Sequence, residues 1–357
     1  TLIAVNISVV GAGIVGLSSA LTLADRGHTV TVYDPAPASG ASHYAGGMLA
    51  PTAEVVYKQD PLFPLMAASA ELYPDLIKLT AKYSDLPTGY RTEGTLVVAR
   101  DVADKTHLAE LSEYQEKHGM AVEKVTTRQA RGLEPALSPA INGAVRIAGD
   151  HQVQPRLFTK ALMDACANAG VTFIHKRVDS TDELDGDQVV VANGLGARDL
   201  VPFLDLRPVY GDVLHVRVPD HQYPLLTHVV RGFVEDRPIY LIPREDHTLT
   251  IGATTREDGR DQPQVQGVHQ LLRDAIEVVP AVEECDFLEA GAGARPGTPD
   301  DLPYIGRIDE RTVVSTGYFR HGILLAALGA WCGAGVVEKQ EPFINLSACD
   351  PRRHECN

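Results

Sequence analysis

The stretch ISVVGAGIVG, at residues 7–16, decides the fold of this chain. Its apolar half, Ile7 to Val10, predicts a buried β-strand, and a helical pattern follows from Ile14 to Arg26. A second strand is expected from Thr29 to Tyr33, and Gly27 is placed to cap the helix. Because a strand, a helix and a second strand need a right-handed crossover, this unit predicts a parallel sheet.

The glycines of this stretch have separate roles in a nucleotide-binding turn. Gly11 permits the tight turn, Gly13 lets a pyrophosphate approach the backbone, and Gly16 lets the helix pack closely on its strand. The helix N-terminus then offers N–H groups and a partial positive charge to phosphates. Asp34, at the end of the second strand, is placed to bind ribose hydroxyls. The spacing predicts a dinucleotide site, for FAD or NAD, and the alternative is a glycine-rich turn used only for packing.

Two further segments extend the parallel sheet, and the residues between them follow another pattern. Pro155 opens a helix that leads into the strand Val171–Ile174. The apolar run Val189–Ala192 predicts a third buried parallel strand. Residues 211–218 and 227–253 instead alternate apolar and polar side chains, which is typical of antiparallel strands.

These patterns predict an α/β protein with two domains, which a chain of 357 residues is long enough to form. A Rossmann-type nucleotide domain is expected at residues 1–82, 146–206 and 291–357. An antiparallel-sheet substrate domain is expected to be inserted at residues 83–145 and 207–290.

The composition argues against several classes of function. A net charge of -15 repels phosphate backbones, so we expect no nucleic-acid partner. The run 322–337 is too short and glycine-rich for a membrane span and predicts a buried helix. The first strand begins so near residue 1 that we expect no signal peptide, and the polar tail 349–357 is expected to fray.

The cysteines favour a reducing cytoplasm. They are odd in number and scattered, and they suggest neither a metal site nor a disulfide framework. They are Cys166, Cys285, Cys332, Cys349 and Cys356.

The loop after the second strand favours FAD over NAD. It reads SGASHYAGGMLAP at residues 39–51, and such small residues can run along an extended cofactor and bring backbone amides to its ring. A surface linker is the alternative, but the hydrophobic end of the loop, Met48 to Pro51, makes a solvated linker less favourable.

Five motifs in one order carry a resemblance to a known family. They are GGMLAP at 46–51, YLIPR at 240–244, RPGT at 295–298, PYIGR at 303–307 and FRHGILL at 319–325. In these motifs, and over nearly its whole length, the chain resembles the D-amino-acid-oxidase-type flavoproteins, most closely the glycine oxidases of thiamine biosynthesis. The resemblance implies a D-amino-acid-oxidase-like fold, with FAD bound non-covalently by the Rossmann-type domain and the substrate bound by the inserted domain.

The resemblance also implies a site for amine oxidation, in which a hydride passes from the substrate Cα to FAD. Arg295 matches the arginine that binds the substrate carboxylate, Tyr240 the tyrosine that faces the substrate, and Arg320 a second arginine of the substrate site. Other interpretations exist: Arg295 precedes Pro-Gly as in a surface turn, Tyr240 can pack in a strand, and Met48 can fill a core.

The predicted cofactor contacts come from both ends of the chain. The backbone N–H groups of 317–322, and a helix expected from Ile323, would stabilise negative charge on the reduced ring; a buried helix with a flexible entry is the alternative. The predicted FAD-binding residues are Gly11, Gly13, Ile14, Val15, Gly16, Asp34, Ala41, Ser42, Gly46, Gly47, Met48, Leu49, Val178, Gly194, Tyr318, Phe319, Arg320, His321, Gly322, Ile323 and Leu324.

Three residues depart from the family pattern. Pro238 stands where a histidine can occur, His321 where an asparagine can follow the second arginine, and Ala41 where a hydroxyl would suit the phosphate. These departures leave the flavoprotein class intact but loosen the prediction of the substrate.

We therefore predict an enzyme that converts glycine, O2 and water to glyoxylate, ammonia and hydrogen peroxide, and that serves thiazole synthesis for thiamine. Oxidation of D-proline, D-alanine or sarcosine, or transfer to an acceptor other than O2, is the alternative within the family. A nicotinamide-dependent dehydrogenase or a non-catalytic dinucleotide-binding module is the alternative from another class. The resemblance also implies a homotetramer.

Overall fold

A computed structural model of the protein describes residues 4–57 and 59–355. Within these residues, the chain forms a six-stranded sheet, an eight-stranded sheet and a two-stranded ribbon. The strands are β1 (Asn6–Val10), β2 (Thr29–Tyr33), β3 (Met48–Leu49), β4 (Thr95–Ala99), β5 (Glu123–Val125), β6 (Gly143–Ile147), β7 (His151–Gln152), β8 (Thr172–Ile174), β9 (Gln188–Val191), β10 (Arg207–Arg217), β11 (Val229–Val234), β12 (Arg237–Pro243), β13 (Thr248–Gly252), β14 (Asp286–Gly297), β15 (Tyr304–Arg307) and β16 (Thr312–Thr316). The helices are α1 (Ile14–Asp25), α2 (Leu62–Tyr83), α3 (Val102–Lys117), α4 (Thr127–Leu133), α5 (Pro155–Asn168), α6 (Ala197–Leu200), α7 (Val265–Val278) and α8 (Ala326–Val337).

The six-stranded sheet has the order β15-β16-β9-β1-β2-β8. Its strands pair in parallel, except that β15 is antiparallel to β16. Helices α1, α2, α5 and α8 share one buried cluster, to which they contribute Leu17, Tyr73, Phe158 and Leu328. The predicted strands β1, β2 and β9 and the predicted helices α1 and α5 are confirmed, and with them the α/β fold class.

The turn from β1 into α1 depends on two glycines. Gly11 has a φ of 104° and donates its N–H to the Tyr33 carbonyl at 2.9 Å. A Cβ at Gly16 would overlap the Gly11 carbonyl oxygen, so any side chain there would push α1 away from β1. This is the close packing that the sequence predicts for Gly16.

The eight-stranded sheet has the order β14-β10-β13-β12-β11-β4-β6-β5. Its pairs are antiparallel except that β4 runs parallel to β11. One face packs on α7 through a cluster that includes Leu241, Ile251 and Leu271. The alternation of residues 211–218 and 227–253 places the intervening side chains on the opposite face, which lines the candidate site.

The division into two domains stays a prediction. The structure adds that β14 belongs to the eight-stranded sheet over its full length, Asp286–Gly297, across the predicted boundary at residue 291.

The helix predicted from Ile323 begins three residues later, at Ala326. Phe319, with a left-handed φ of 50°, opens a short 3-10 turn to His321, and residues 322–325 form a further turn. Leu325, with a φ of -78° and a ψ of -1°, is the N-cap residue, so the regular hydrogen bonding of α8 begins after it. Helix α8 is buried as predicted, and no helix among the described residues is long and apolar enough to cross a membrane.

The prediction of a frayed tail is wrong for residues 349–355. Cys349 is fully buried, and the Arg353 guanidinium donates to both Asp300 oxygens at 2.8 Å and to the Leu302 carbonyl at 2.7 Å. These contacts tie the tail to the segment between β14 and β15. Cys356 and Asn357, the last two residues of this tail, lie outside the described residues.

Candidate active site

A cavity of about 670 Å³ lies where the two large sheets meet. One side is formed by the loops at the carboxyl ends of β1, β2, β9 and β16, which is where open α/β sheets bind ligands. The other side is formed by one face of the eight-stranded sheet. The volume lies within the range of small-molecule and cofactor sites.

The carboxyl ends of β1 and β2 form the nucleotide end of this cavity. Helix α1 has no side-chain cap at Gly13, and its first turn lines the cavity. The Asp34 carboxylate accepts the Ala12 N–H at 2.7 Å, and Ser42 Oγ accepts the Ile14 N–H at 3.0 Å. The N–H groups of the first helical turn beyond Ile14 can bind phosphate, and the neighbouring carboxylate can bind ribose. These residues fit the nucleotide half of FAD.

Three polar side chains project from the sheet face that forms the opposite wall. Arg231 and Tyr240 are register partners on β11 and β12, so they lie side by side. A Cβ at Gly252, the partner of Tyr240 on β13, would overlap the Tyr240 hydroxyl, and a Cβ at Gly211 would overlap the Arg295 guanidinium. Glycine at these strand positions leaves the space that the two side chains occupy.

Tyr240 and Arg295 form a pair of donors at the centre of this wall. Burial raises the pKa of Tyr240, although Arg295 and three other arginines oppose it, so the phenol is protonated at neutral pH. Burial lowers the pKa of Arg295, and its guanidinium contacts the Thr254 carbonyl only at 3.4 and 3.5 Å. These long contacts leave Arg295 able to bind a carboxylate, with the Tyr240 hydroxyl as a second donor.

The structure brings in two charged residues that the sequence analysis does not predict. Glu54 forms an ion pair with Arg231 and lies 3.9 Å from Nη2 of Arg320. Among the described residues, Glu54 is the one carboxylate within 4.0 Å of the guanidiniums of Arg231, Arg295 or Arg320. Arg231 could be predicted, because it is a charged residue that follows buried Val230 in a strand of alternating pattern. The loop around Glu54 has no such pattern.

His321, which departs from the family pattern, adds no charge to this site. It is buried, and burial, followed by the nearby Arg320 and Arg231, lowers its pKa to about 3. The imidazole is therefore neutral at neutral pH.

A second carboxylate, that of Asp150, holds the turn that leads to Glu54. Asp150 is fully buried, and its two oxygens accept the N–H groups of Thr52 and Ala53 at 3.2 and 2.7 Å. These bonds fix the turn that ends at Glu54. Burial raises the pKa of Asp150 to about 7, although the two N–H groups lower it.

The three predicted catalytic residues, Tyr240, Arg295 and Arg320, all line the cavity. Most predicted FAD-binding residues line it as well: Gly11, Gly13, Ile14, Val15, Asp34, Ala41, Ser42, Gly46, Gly47, Met48, Gly194, Tyr318, Phe319, Arg320, His321, Gly322, Ile323 and Leu324. Gly16 packs instead against Gly11 in the turn that follows β1, and the side chains of Leu49 and Val178 lie in hydrophobic clusters. The cofactor contacts of all these residues stay predictions.

Comparison with known proteins gives the family. The family model described as FAD dependent oxidoreductase matches residues 6–334. The chain belongs to the FAD-dependent oxidoreductases. FAD is therefore its cofactor.

Relatives of this FAD-dependent oxidoreductase match it over nearly the whole chain. It is 32% identical to the glycine oxidase of Geobacillus kaustophilus, over 98% of this chain and 97% of that protein. It is 31% identical to a thiamine biosynthesis oxidoreductase of Rhizobium etli, over 90% of this chain and 93% of that protein. The crystal structure of the Geobacillus glycine oxidase superposes with a TM-score of 0.89 at 30% identity, covering 98% of this chain and 100% of that chain.

We expect the substitution Gly211→Ala to displace Arg295 without removing FAD. The added methyl group would overlap the guanidinium, which must then move relative to Tyr240. Since a displacement of about 1 Å can lower a rate about 100-fold, kcat/KM for the amino-acid substrate should fall by roughly that factor. Steady-state kinetics measures this fall, and the flavin absorbance per protein should not change.

The control is Gly143→Ala on β6, where the nearest atom to a new Cβ is Cγ of Lys105, at 3.3 Å. This flexible side chain can yield, so kinetics and FAD content should match those of the wild type. If Gly211→Ala also kept its kcat/KM, the placement of Arg295 at the substrate would be wrong.

The raised pKa of Asp150 predicts that the free energy of unfolding depends on pH. Because its pKa rises from 3.8 to about 7 on folding, the folded state binds more protons than the unfolded state between these values. Wild-type stability therefore decreases through this window as the pH rises. The Asp150→Asn variant cannot ionise at this position. The free energy of unfolding of the variant minus that of the wild type should therefore increase with pH, by up to about 1.4 kcal/mol per pH unit. Urea unfolding across the window measures this difference, and a constant difference would contradict the prediction.

Proposed function

We propose that this enzyme oxidises glycine and other small amino acids, so that glycine, O2 and water give glyoxylate, ammonia and hydrogen peroxide. The observation that carries the proposal is the Arg295 guanidinium, without a carboxylate partner among the described residues, beside the protonated Tyr240 hydroxyl in the FAD cavity. We further propose that the product serves thiazole synthesis for thiamine.

The protein's part in this reaction is to bind and orient the amino acid. Arg295 binds the substrate carboxylate with two parallel N–H groups, and Tyr240 donates a further hydrogen bond to it. Fixing the carboxylate restricts the position of the neighbouring α-carbon. The reacting C–H bond is thereby held in one orientation before the reaction. When bound, FAD supplies the acceptor for the hydride that leaves this carbon.

The wall offers little help with proton transfer. Tyr240, with its raised pKa, and His321, with a pKa of about 3, do not accept protons at neutral pH. Glu54 is engaged with Arg231. Since these three groups do not take the proton, we propose that the substrate ammonium group loses it to water before oxidation and that the enzyme acts on the neutral amine.

Arg320 and the turn that contains it have a separate role. Arg320 lines the cavity and supplies a positive charge, and the turn at residues 319–322 supplies backbone N–H groups. We propose that they stabilise the negative charge that reduction places on the cofactor. This assignment replaces the helix N-terminus that the sequence predicts at Ile323.

The relatives support the choice of glycine. A glycine oxidase and a thiamine biosynthesis oxidoreductase match this chain over nearly their full lengths. From the resemblance we also propose a homotetramer that works in the cytoplasm, with the amino acid and O2 as its small-molecule partners.

Anaerobic mixing with glycine tests the proposed reaction directly. The purified FAD-loaded enzyme should lose its visible flavin absorbance with glycine, and in air it should release hydrogen peroxide and glyoxylate in equal amounts. Sarcosine, D-alanine and D-proline in the same panel separate glycine oxidation from its alternatives. Absence of bleaching with all four amines would remove the proposal.

We expect Arg295→Lys to weaken substrate binding and to retain FAD. Lysine keeps the charge but replaces the planar pair of donors with a point charge. Loss of one charge-assisted hydrogen bond, about 1.5–3 kcal/mol, should raise KM for glycine roughly 10- to 100-fold. Arg217→Lys, at an exposed position on β10, is the matched control and should leave KM unchanged. Loss of FAD from Arg295→Lys with a normal KM would assign Arg295 to the cofactor instead.

A further inference from the structure

The reaction proposed above leaves one ion pair of the cavity wall without a role. The side chains of Arg231 and Glu54 are 12% and 10% exposed, and both residues line the cavity. Oε1 of Glu54 contacts Arg231, whereas Oε2 lies 3.9 Å from Nη2 of Arg320. One carboxylate thus spans two guanidiniums, as the carboxylate of a ligand could.

The charges of the wall distinguish the arginines from one another. Arg231, Arg295 and Arg320 are cationic, His321 is neutral, and Glu54 supplies the negative charge. Since Glu54 engages two of the guanidiniums, Arg295 is the one without a carboxylate within 4.0 Å among the described residues. The wall therefore has two places where a carboxylate can bind. The one at Arg295 is open, and Glu54 occupies the other.

The position of Glu54 is fixed by the chain around it. Its N–H donates to the Ala50 carbonyl at 3.1 Å, and the preceding N–H groups of the turn are bound by Asp150. Gln115 donates to the Thr52 carbonyl at 2.9 Å from the opposite side. The backbone of Glu54 is therefore held in a braced turn, which keeps its carboxylate within reach of Arg231 and Arg320.

We propose that Glu54 determines substrate specificity by filling a second carboxylate-binding site formed by Arg231 and Arg320. The proposal rests on the proposed function, because it assigns the substrate's own carboxylate to Arg295. An amino acid with one carboxylate, such as glycine, leaves Glu54 undisturbed. An amino dicarboxylate brings its second carboxylate against Glu54 and is rejected by like-charge repulsion.

Binding of acids that cannot be oxidised tests this proposal without turnover. Acetate presents one carboxylate, whereas malonate and succinate present two at different separations. Calorimetry on the FAD-loaded wild type should find both diacids bound no more than about threefold more tightly than acetate. In Glu54→Ala, which vacates the second site, at least one diacid should bind roughly tenfold more tightly than it binds the wild type, with a clearly smaller gain for acetate, which has one carboxylate only.

Turnover provides a second measurement. In Glu54→Ala, kcat/KM for iminodiacetate or D-aspartate should rise at least about tenfold relative to that for glycine. The double variant Glu54→Ala, Arg231→Gln lacks one of the two guanidiniums and should lose most of this gain. A purely structural ion pair would change stability in both variants but would not change the preference between one and two carboxylates.

Three results would overturn the proposal: a wild type that binds a diacid tenfold more tightly than acetate, no gain in Glu54→Ala, or an equal gain in the double variant. If Glu54→Ala fails to fold, tenfold tighter binding of a diacid than of acetate by the wild type would still overturn the proposal. Wild-type turnover of glycine is a separate measurement. Its failure would remove the proposed function, whereas the affinity ratio for diacids and acetate reports on Glu54 alone.

Discussion

A buried phenol surrounded by guanidinium groups is the constraint on which this site depends. Burial raises the pKa of Tyr240, and four arginines oppose that rise: Arg295, Arg231, Arg244 and Arg320. Positive charge in a wall of low dielectric constant is unfavourable unless anions accompany it. One anion, Glu54, comes from the loop after β3, so the sheet face and this loop form the site together. The remaining positive charge favours a ligand that carries a carboxylate.

Two polar side chains of this wall fit only because glycine occupies the strand positions beside them. Gly211 and Gly252 leave room for a guanidinium and a phenol, respectively. On the edge strand β14, Gly291 and Gly293 allow Tyr44 to lie against the sheet, because a Cβ at Gly291 would come within 2.6 Å of its ring and a Cβ at Gly293 within 2.6 Å of its Cβ. The loop that precedes β3 therefore approaches the sheet closely at its edge, and the cavity remains open where the polar side chains project.

The elements that depend on local pattern were predictable, and the contacts that depend on topology were not. Hydrophobic periodicity and glycine spacing were sufficient for β1, α1 and β2, and the motifs around Tyr240, Arg295 and Arg320 predicted residues that do line one cavity. Glu54 and Arg231 are 177 residues apart in the chain, and Asp150 lies 97 residues from Ala53. No local pattern relates such positions, because the crossovers between the two sheets bring them together.

Which arginine binds the substrate follows from what each arginine already binds. Arg244 already donates three hydrogen bonds to oxygen acceptors of the chain, which would have to break before it could bind a ligand with both terminal nitrogens. Arg231 is paired with Glu54, whereas Arg295 has only long contacts with the Thr254 carbonyl. A carboxylate gains most where the fewest existing bonds must break, because lost bonds offset new ones. By the same reasoning, Glu54 sets how many carboxylates the wall accepts: without it, a second guanidinium would have donors to offer.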